Sequence, residues 1–377
     1  MESLDLTKYP NIDAATWRDF IEKELKGKSW KDLIWQPEEL LALEAGYHTD
    51  DSFSALYLPN IKNGDWLIGE SFNIDDNAEQ VNGALLEALN MGLEAPEFTI
   101  TASTDISLLL NDVLVEYLDT TWHIENEEAI KLIYKSLSIN APLSDTLSGS
   151  ISYPYSLGPS FIQRLKIFLA LEKEFPACAT FRIFQITPEA GLGIVETVAQ
   201  VLAAANALLD SVGVEFPDGI QVLKRLQINI KNGDLLMLEM AKIRAIRLTF
   251  QNLLKARKIM IPQSIFINVA TDEQIYKEDD NYNRIKASLI GWSAAIGGAD
   301  RITIVPGGQS ETSFDKRIAR NVQHLLKMES FLGKVADPMQ GSYYVEAATR
   351  QIAQLAWERF KILDKEGDYY NGKPLVQ

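Results

Sequence analysis

With 377 residues, 46% of them hydrophobic and 23% charged, the chain has the composition of an ordinary folded protein, either one large domain with additions or two domains; disorder, collagen and coiled coil are excluded. Its 36 basic against 52 acidic side chains leave a net charge of −16, which repels phosphate backbones and anionic lipid, so neither nucleic acid nor a membrane surface is an expected partner. The single cysteine, Cys178, rules out an internal disulfide, no apolar run approaches the roughly 20 residues of a bilayer span, and the opening MESLDLTKYP has no export signal, so a soluble cytoplasmic protein is expected.

Residues 1–60 differ in texture from the rest. Asp13 is placed to cap a helix running to Lys26, with Trp17, Phe20, Ile21 and Leu25 on one side and Gly27 positioned to end it. Trp30 and Trp35 follow closely, and so many large aromatics outside a repeat predict an arm, laid against another surface or packed on its own domain. From about residue 64 onward no long linker or low-complexity tract interrupts the chain, which predicts one continuous domain, residues 61–366. Short β-type runs recur there at Asp65 to Glu70, Glu97 to Ser103, Thr120 to Ile124, Leu147 to Tyr153, Ala177 to Ile186, Val222 to Ile230, Gln263 to Ala270 and Arg301 to Val305. Between them lie helical stretches with apolar positions three and four residues apart, such as Ile194, Val195, Val198, Val201 and Leu202, or Phe314, Ile318, Val322, Leu325 and Leu326. Ile352, Leu355, Ala356, Phe360 and Leu363 form a last amphipathic helix before a polar tail, residues 367–377.

Eight βα units over roughly 270 residues match the usual size of a β/α barrel. The predicted fold is therefore α/β: an eight-stranded parallel β/α (TIM) barrel with an N-terminal helical arm and a C-terminal helix. A doubly wound open sheet is the alternative, but Gly297-Gly298 and Gly307-Gly308 flank the last strand without forming a G-x-G-x-x-G turn.

Strand parity is informative, because inward side chains of such a barrel are usually bulky and branched. Here one parity is small or polar: Thr99, Thr101 and Ser103 on the second run, Ser148, Ser150 and Ser152 on the fourth, Arg225, Gln227 and Asn229 on the sixth, Ser264 and Asn268 on the seventh. The opposite parities, such as Leu226, Ile228, Ile230 and Ile265, Ile267, Val269, suit packing under helices. Small side chains cannot fill a barrel at normal density, so Thr101, Ser103, Ser150, Ser152, Gln227, Asn229 and Asn268 predict an axial channel holding water or a long thin ligand. The alternatives are that the strand boundaries lie elsewhere, or that these polar groups bond to one another across the barrel.

The chain offers few residues in patterns that carry known chemistry. His48, His123, His324 and Cys178 show no metal-ligand spacing, so no protein-held metal is expected, and there is no G-x-S-x-G elbow or P-loop; Gly307-Gly308-Gln309-Ser310 lacks the lysine of a phosphate cradle. His123 ends the third run, where barrel catalysts sit, although Glu125, Glu127 and Glu128 make a plain strand-to-helix junction there. Glu189 just after the fifth run is read first as a helix-start carboxylate, and so are Asp279 and Asp280.

Pro188-Glu189-Ala190-Gly191, the stretch Glu239 to Arg247, Asp280-Asn-Tyr282-Asn283, Arg317-Ile-Ala-Arg320-Asn321 and above all Asp337-Pro-Met-Gln-Gly341-Ser342-Tyr343-Tyr344-Val345-Glu346 resemble the barrel domain of methylmalonyl-CoA mutase. Trp17 to Gly27 resembles the amino-terminal arm of that family's smaller subunit, which embraces the other subunit. The resemblance implies a barrel threaded by the pantetheine chain of coenzyme A, and a radical interconversion of methylmalonyl-CoA and succinyl-CoA begun by adenosylcobalamin.

Departures from the family pattern decide what is expected of this chain. Aligned on Glu189-Ala190-Gly191, Gln185 and Ile186 stand where catalytic chains carry tyrosine and histidine. Asn268-Val-Ala-Thr-Asp-Glu-Gln274 replaces a Gln-Thr-Ser-Gly stretch near the corrin, and Ser71-Phe-Asn-Ile-Asp-Asp lacks the Arg-Gly pair that holds substrate. No histidine sits in the cobalt-binding D-x-H-x-x-G of the family's carboxyl-terminal domain. The expectation is a non-catalytic small subunit, without catalytic residues of its own, that stabilises a large catalytic chain holding the adenosylcobalamin. A catalytic barrel half whose cobalamin domain is a separate chain, or a stand-alone acyl-CoA binding barrel, are the alternatives.

Overall fold

A computed structural model describes residues 12–48, 55–56, 58, 65–74, 77–101, 103–213, 215–216, 219–259, 265–307 and 312–376. Its strands are β1 (Leu67–Asn73), β2 (Ala95–Thr99), β3 (Asp119–His123), β4 (Ser148–Ser152), the two-residue β5 (Tyr155–Ser156), β6 (Phe184–Ile186), β7 (Leu226–Asn232), β8 (Phe266–Thr271), β9 (Arg301–Thr303) and β10 (Pro374–Val376). The helices are α1 (Ala14–Glu24), α2 (Ala78–Asn90), α3 (Ile106–Leu109), α4 (Glu128–Asn140), α5 (Pro159–Glu174), α6 (Ile194–Ser211), α7 (Ile220–Lys224), α8 (Leu236–Ala256), α9 (Asp280–Gly297), α10 (Ser313–His324) and α11 (Tyr343–Glu366). Eight parallel strands run in the order β4-β3-β2-β1-β9-β8-β7-β6, and the ring nearly closes, as the eight βα units predict.

β4 meets the residues just ahead of β6 at an isolated parallel bridge, Ser150 to Arg182, with the Arg182 amide donating to the Gly149 carbonyl at 2.9 Å. A side chain at position 149 would collide with the Thr120 carbonyl of the neighbouring β3 and meet the Phe181 ring at 2.8 Å, so glycine is needed there. Beyond the bridge the seam is filled from elsewhere. The stretch read as a polar tail folds back, β10 pairs antiparallel with β5, and the Thr187 amide donates to the Leu375 carbonyl at 2.7 Å. Leu375 and Val376 are buried, so burial of two apolar side chains overrides the polarity of the residues before them.

Phe98, Trp122, Ile151, Phe184, Ile228, Ile267 and Ile302 alternate outward and are buried beneath the helices in one apolar core. α6 is long and apolar enough by composition to cross a membrane, yet 72% of it is buried, packed against α8 and α11. Cys178 closes the turn after α5 with no exposed surface; burial pushes its thiol up to about 12, with the Glu172 charge adding to the shift. Three predicted strands begin or end well away from their expected bounds; the fifth starts only at Phe184, because Pro176–Cys178 form a 3-10 turn after α5. The second stops at Thr99, because the Thr104 hydroxyl accepts the Thr101 amide at 3.0 Å and turns the chain. The sixth starts at Leu226, after Val222 and Leu223 are taken into α7.

The arm is anchored to its own barrel while part of it faces outward. Asp13 caps α1, accepting the Thr16 amide at 2.7 Å, and Gly27 follows in the left-handed region at φ 94°. Trp17 packs edge-on against Trp30 at 5.1 Å, and Leu41 and Leu43 are fully buried. Trp35, Phe20 and Leu40 remain exposed.

Candidate functional site

The carboxyl ends of the strands surround a cavity of about 410 Å3, lined among others by Glu97, His123, Ser152, Thr187, Asn229 and Asn268. Its wall includes Gly191 and Ile194 at the start of α6 and Val376 of β10. The N-terminus of α6 is capped from the arm: the Glu38 carboxylate accepts the Ile194 amide and, at 3.3 Å, the Val195 amide. Glu189, read as the helix-start carboxylate, instead pairs with Lys373 at 3.1 Å and accepts from Gln200 at 3.3 Å, because Glu38 has taken the cap. Asp279 does cap α9 through the amides of Asn281 and Tyr282.

Beneath the cavity the inward face is polar and tied together. Arg301 of β9, with no exposed surface, reaches across the axis to Thr121, to Glu97 at 3.3 Å and to Asp119 at 3.5 Å, and its Nε donates to Asn268 at 3.0 Å. Arg182 reaches in from the seam, donating to Gln227 at 2.9 Å and pairing with Asp119 at 2.5 Å, while its guanidinium lies 4.0 Å from the Phe266 ring centroid. Thr303 donates to Glu97 at 2.8 Å. Burial alone would push the Glu97 carboxyl up, but Arg301 and then His123, 3.6 Å away, outweigh it and hold the group at about 2. Asp119 is likewise held below the ordinary carboxylate range: burial raises it, and Arg182 with Arg301 more than compensates.

The residues read as channel lining divide between this network and a loop. Ser150 shares a 2.9 Å hydrogen bond with Thr121, Gln227 donates to Asn229 at 2.7 Å, and Asn229 accepts from Asn268 at 3.2 Å and donates to Gln185 at 2.9 Å. Ser152 faces the cavity. Thr101 and Ser103 lie past the end of β2, exposed, their hydroxyls 2.9 Å apart. Ser148 bonds Asp119 at 2.6 Å, Arg225 turns to Glu172, and Ser264 lies outside the described residues. The bulky charged members, Glu97, Asp119, Arg182 and Arg301, were missed; the signal was the same parity, since Glu97 stands two residues before Thr99 and Arg301 opens the last run.

Gln185 and Ile186 are both buried, the amide of Gln185 donating to the Ile151 carbonyl at 2.8 Å. Among the described residues no three His, Cys, Asp or Glu side chains gather as a metal site. His123 turns to Glu97, and His324 shares a 2.8 Å hydrogen bond with the Met91 carbonyl. The stretch from Asp337 to Glu346 acts as a structural knot. Fully buried Arg244 of α8 pairs with Asp337 and, at 2.9 Å, with Glu346. Glu346 also accepts the Gly341 amide and the Leu56 amide, each at 3.0 Å, and so ties the end of the arm to α11.

The family described as methylmalonyl-CoA mutase matches residues 138–372. The methylmalonyl-CoA mutase small subunit of Porphyromonas gingivalis is 25% identical over 96% of this chain and 64% of its own length. The methylmalonyl-CoA mutase of Cereibacter sphaeroides is 24% identical over 94% and 59%. The small subunit from Propionibacterium freudenreichii subsp. shermanii reaches 41% identity over 97 residues, 25% of this chain and 15% of that one. The chain therefore spans less than two thirds of the length of these relatives. Among solved structures, Yersinia pestis dihydropteroate synthase overlaps with a TM-score of 0.38 at 10% identity, over 71% of this chain and 94% of that one, too loosely to carry an argument. With well over half its residues inside the matched span, from α4 past the knot around Glu346, the chain belongs to the methylmalonyl-CoA mutase family.

Proposed function

We propose that the chain is a non-catalytic, small-subunit type of mutase barrel, which stabilises a large catalytic chain by pairing with it in the cytoplasm. One observation carries this reading: the barrel axis is crossed by Arg301, Arg182, Asp119 and Glu97, bonded to one another, where a pantetheine chain would need open space. Displacing a guanidinium from two buried carboxylates would cost about 3–5 kcal/mol, more than a thin flexible ligand recovers there. The residues also do not fit a resident adenosylcobalamin: among the described residues the mouth cavity is lined by no imidazole or thiol other than His123, which is engaged by Glu97. In this reading the cofactor is held by the partner chain. The small-subunit names of the relatives support a large-chain partner. Co-elution with the cognate large chain, a higher melting temperature of that chain in the complex, and no acyl-CoA turnover by this chain alone are the expected results. Absence of any co-elution overturns the reading.

The cavity at the mouth, with Glu97 and His123 on its floor, favours a second reading, a catalytic half that works beside a separate cobalamin-binding chain. Acyl-CoA turnover on mixing with adenosylcobalamin and such a chain, and without a second barrel, would select it.

A further inference from the structure

The outer face formed by α9 and the end of α10 carries apolar side chains that the fold leaves in solvent. Ile285 and Leu289 stand one turn apart on α9, and Leu325, Met328, Phe331 and Val335 follow one another out of α10, with Met328 68% and Phe331 59% exposed. α9 packs against α10 and against the short 3-10 turn Leu332–Lys334, so the two groups stand on adjoining elements. From typical side-chain areas the six expose roughly 600 Å2 of apolar surface, at or above the apolar share that one partner contributes to a stable interface of standard size.

The backbone here is as unusual as the composition. α10 widens into a π-turn over Leu325–Glu329, a rare form that is frequent at functional sites. Two residues later Phe331 adopts φ 55°, a left-handed conformation unfavourable for a bulky L-residue. Within this chain that strain is not repaid by burial, since the ring it presents is mostly in water.

We infer that this face, with Met328 and Phe331 at its centre, is the surface that docks on the large mutase chain. The inference rests on the small-subunit reading and deepens it by locating the contact on the barrel wall. The strained ring and the apolar turn become favourable when a partner covers them, and the area matches a stable pairing.

Affinity for the cognate large chain would be measured by calorimetry for the full chain and for Met328→Glu, Phe331→Gly and Leu143→Glu, the last altering an exposed leucine away from this face. Met328→Glu is expected to weaken pairing at least tenfold at an unchanged melting temperature, and Leu143→Glu to leave it within twofold. Phe331→Gly separates docking from folding: relief of the left-handed strain should raise the melting temperature of the lone chain while the complex weakens at least tenfold. If the unaltered chain pairs and both face variants pair as well as it does, the docking face is wrong and the small-subunit reading stands. If the unaltered chain does not pair, both fail. A homodimer that Met328→Glu dissociates would assign the face to a second copy and likewise overturn the inference.

Discussion

Glu97 is buried between a guanidinium and an imidazole, and its charge is the more valuable for it. Its carboxyl titrates near 2 in the folded chain against an ordinary 4.5, so it favours the folded state by roughly 3 kcal/mol at neutral pH. Because the folded value is the lower one, that contribution is present above about 4.5 and is lost as pH falls towards 2; Asp119, shifted in the same direction, adds to the loss. Urea midpoints measured from pH 7 down to 2.5 should therefore fall steeply below pH 4.5, and Glu97→Gln should flatten that limb while lowering the midpoint at pH 7. These charges were legible only in part. Parity gave the polar face from Ser150, Gln227, Asn229 and Asn268, but which polar groups meet across an axis depends on barrel stagger, and no local pattern records that.

Single side chains couple elements that lie far apart in the chain. Glu38 holds the first two amides of α6 and thereby pins the arm beside the cavity wall. Glu38→Ala should cost about 1 kcal/mol and make the peptide bonds around Trp30 to Trp35 more sensitive to limited proteolysis. β10 is the other coupling element. Its Leu375 carbonyl takes the Thr187 amide, so Leu375→Asp should expel the strand, and hydrogen exchange at Thr187 should then rise at least tenfold while amides of β1 and β2 keep their protection. The eight strands and their helices could be read from periodicity, because each βα unit buries its own alternating face. β10 could not, since three residues carry no period and their partner is 218 positions away at the nearest pairing, Pro374 with Ser156.

Across the whole molecule, the stretch that most clearly marks the family turns out to hold the domain together. Arg244 brings Asp337 and Glu346 to α8, and Glu346 ties in Leu56. Arg244→Ala would leave two buried carboxylates without their cation, at a cost of about 3–5 kcal/mol; a large fall in the urea midpoint, partly restored by Arg244→Lys, is the expected result. The sequence motif revealed kinship, but its work in the fold became visible only once Arg244, 93 residues before Asp337, was seen to meet it.

Cys178 offers a practical consequence. The chain has no second thiol, and this one is sealed in the core with its pKa raised to about 12, so it stays protonated and out of reach of maleimide reagents at neutral pH. A cysteine engineered anywhere on the surface would therefore take a fluorophore site-specifically without first removing the native one, giving direct access to distances between this protein and whatever it assembles with.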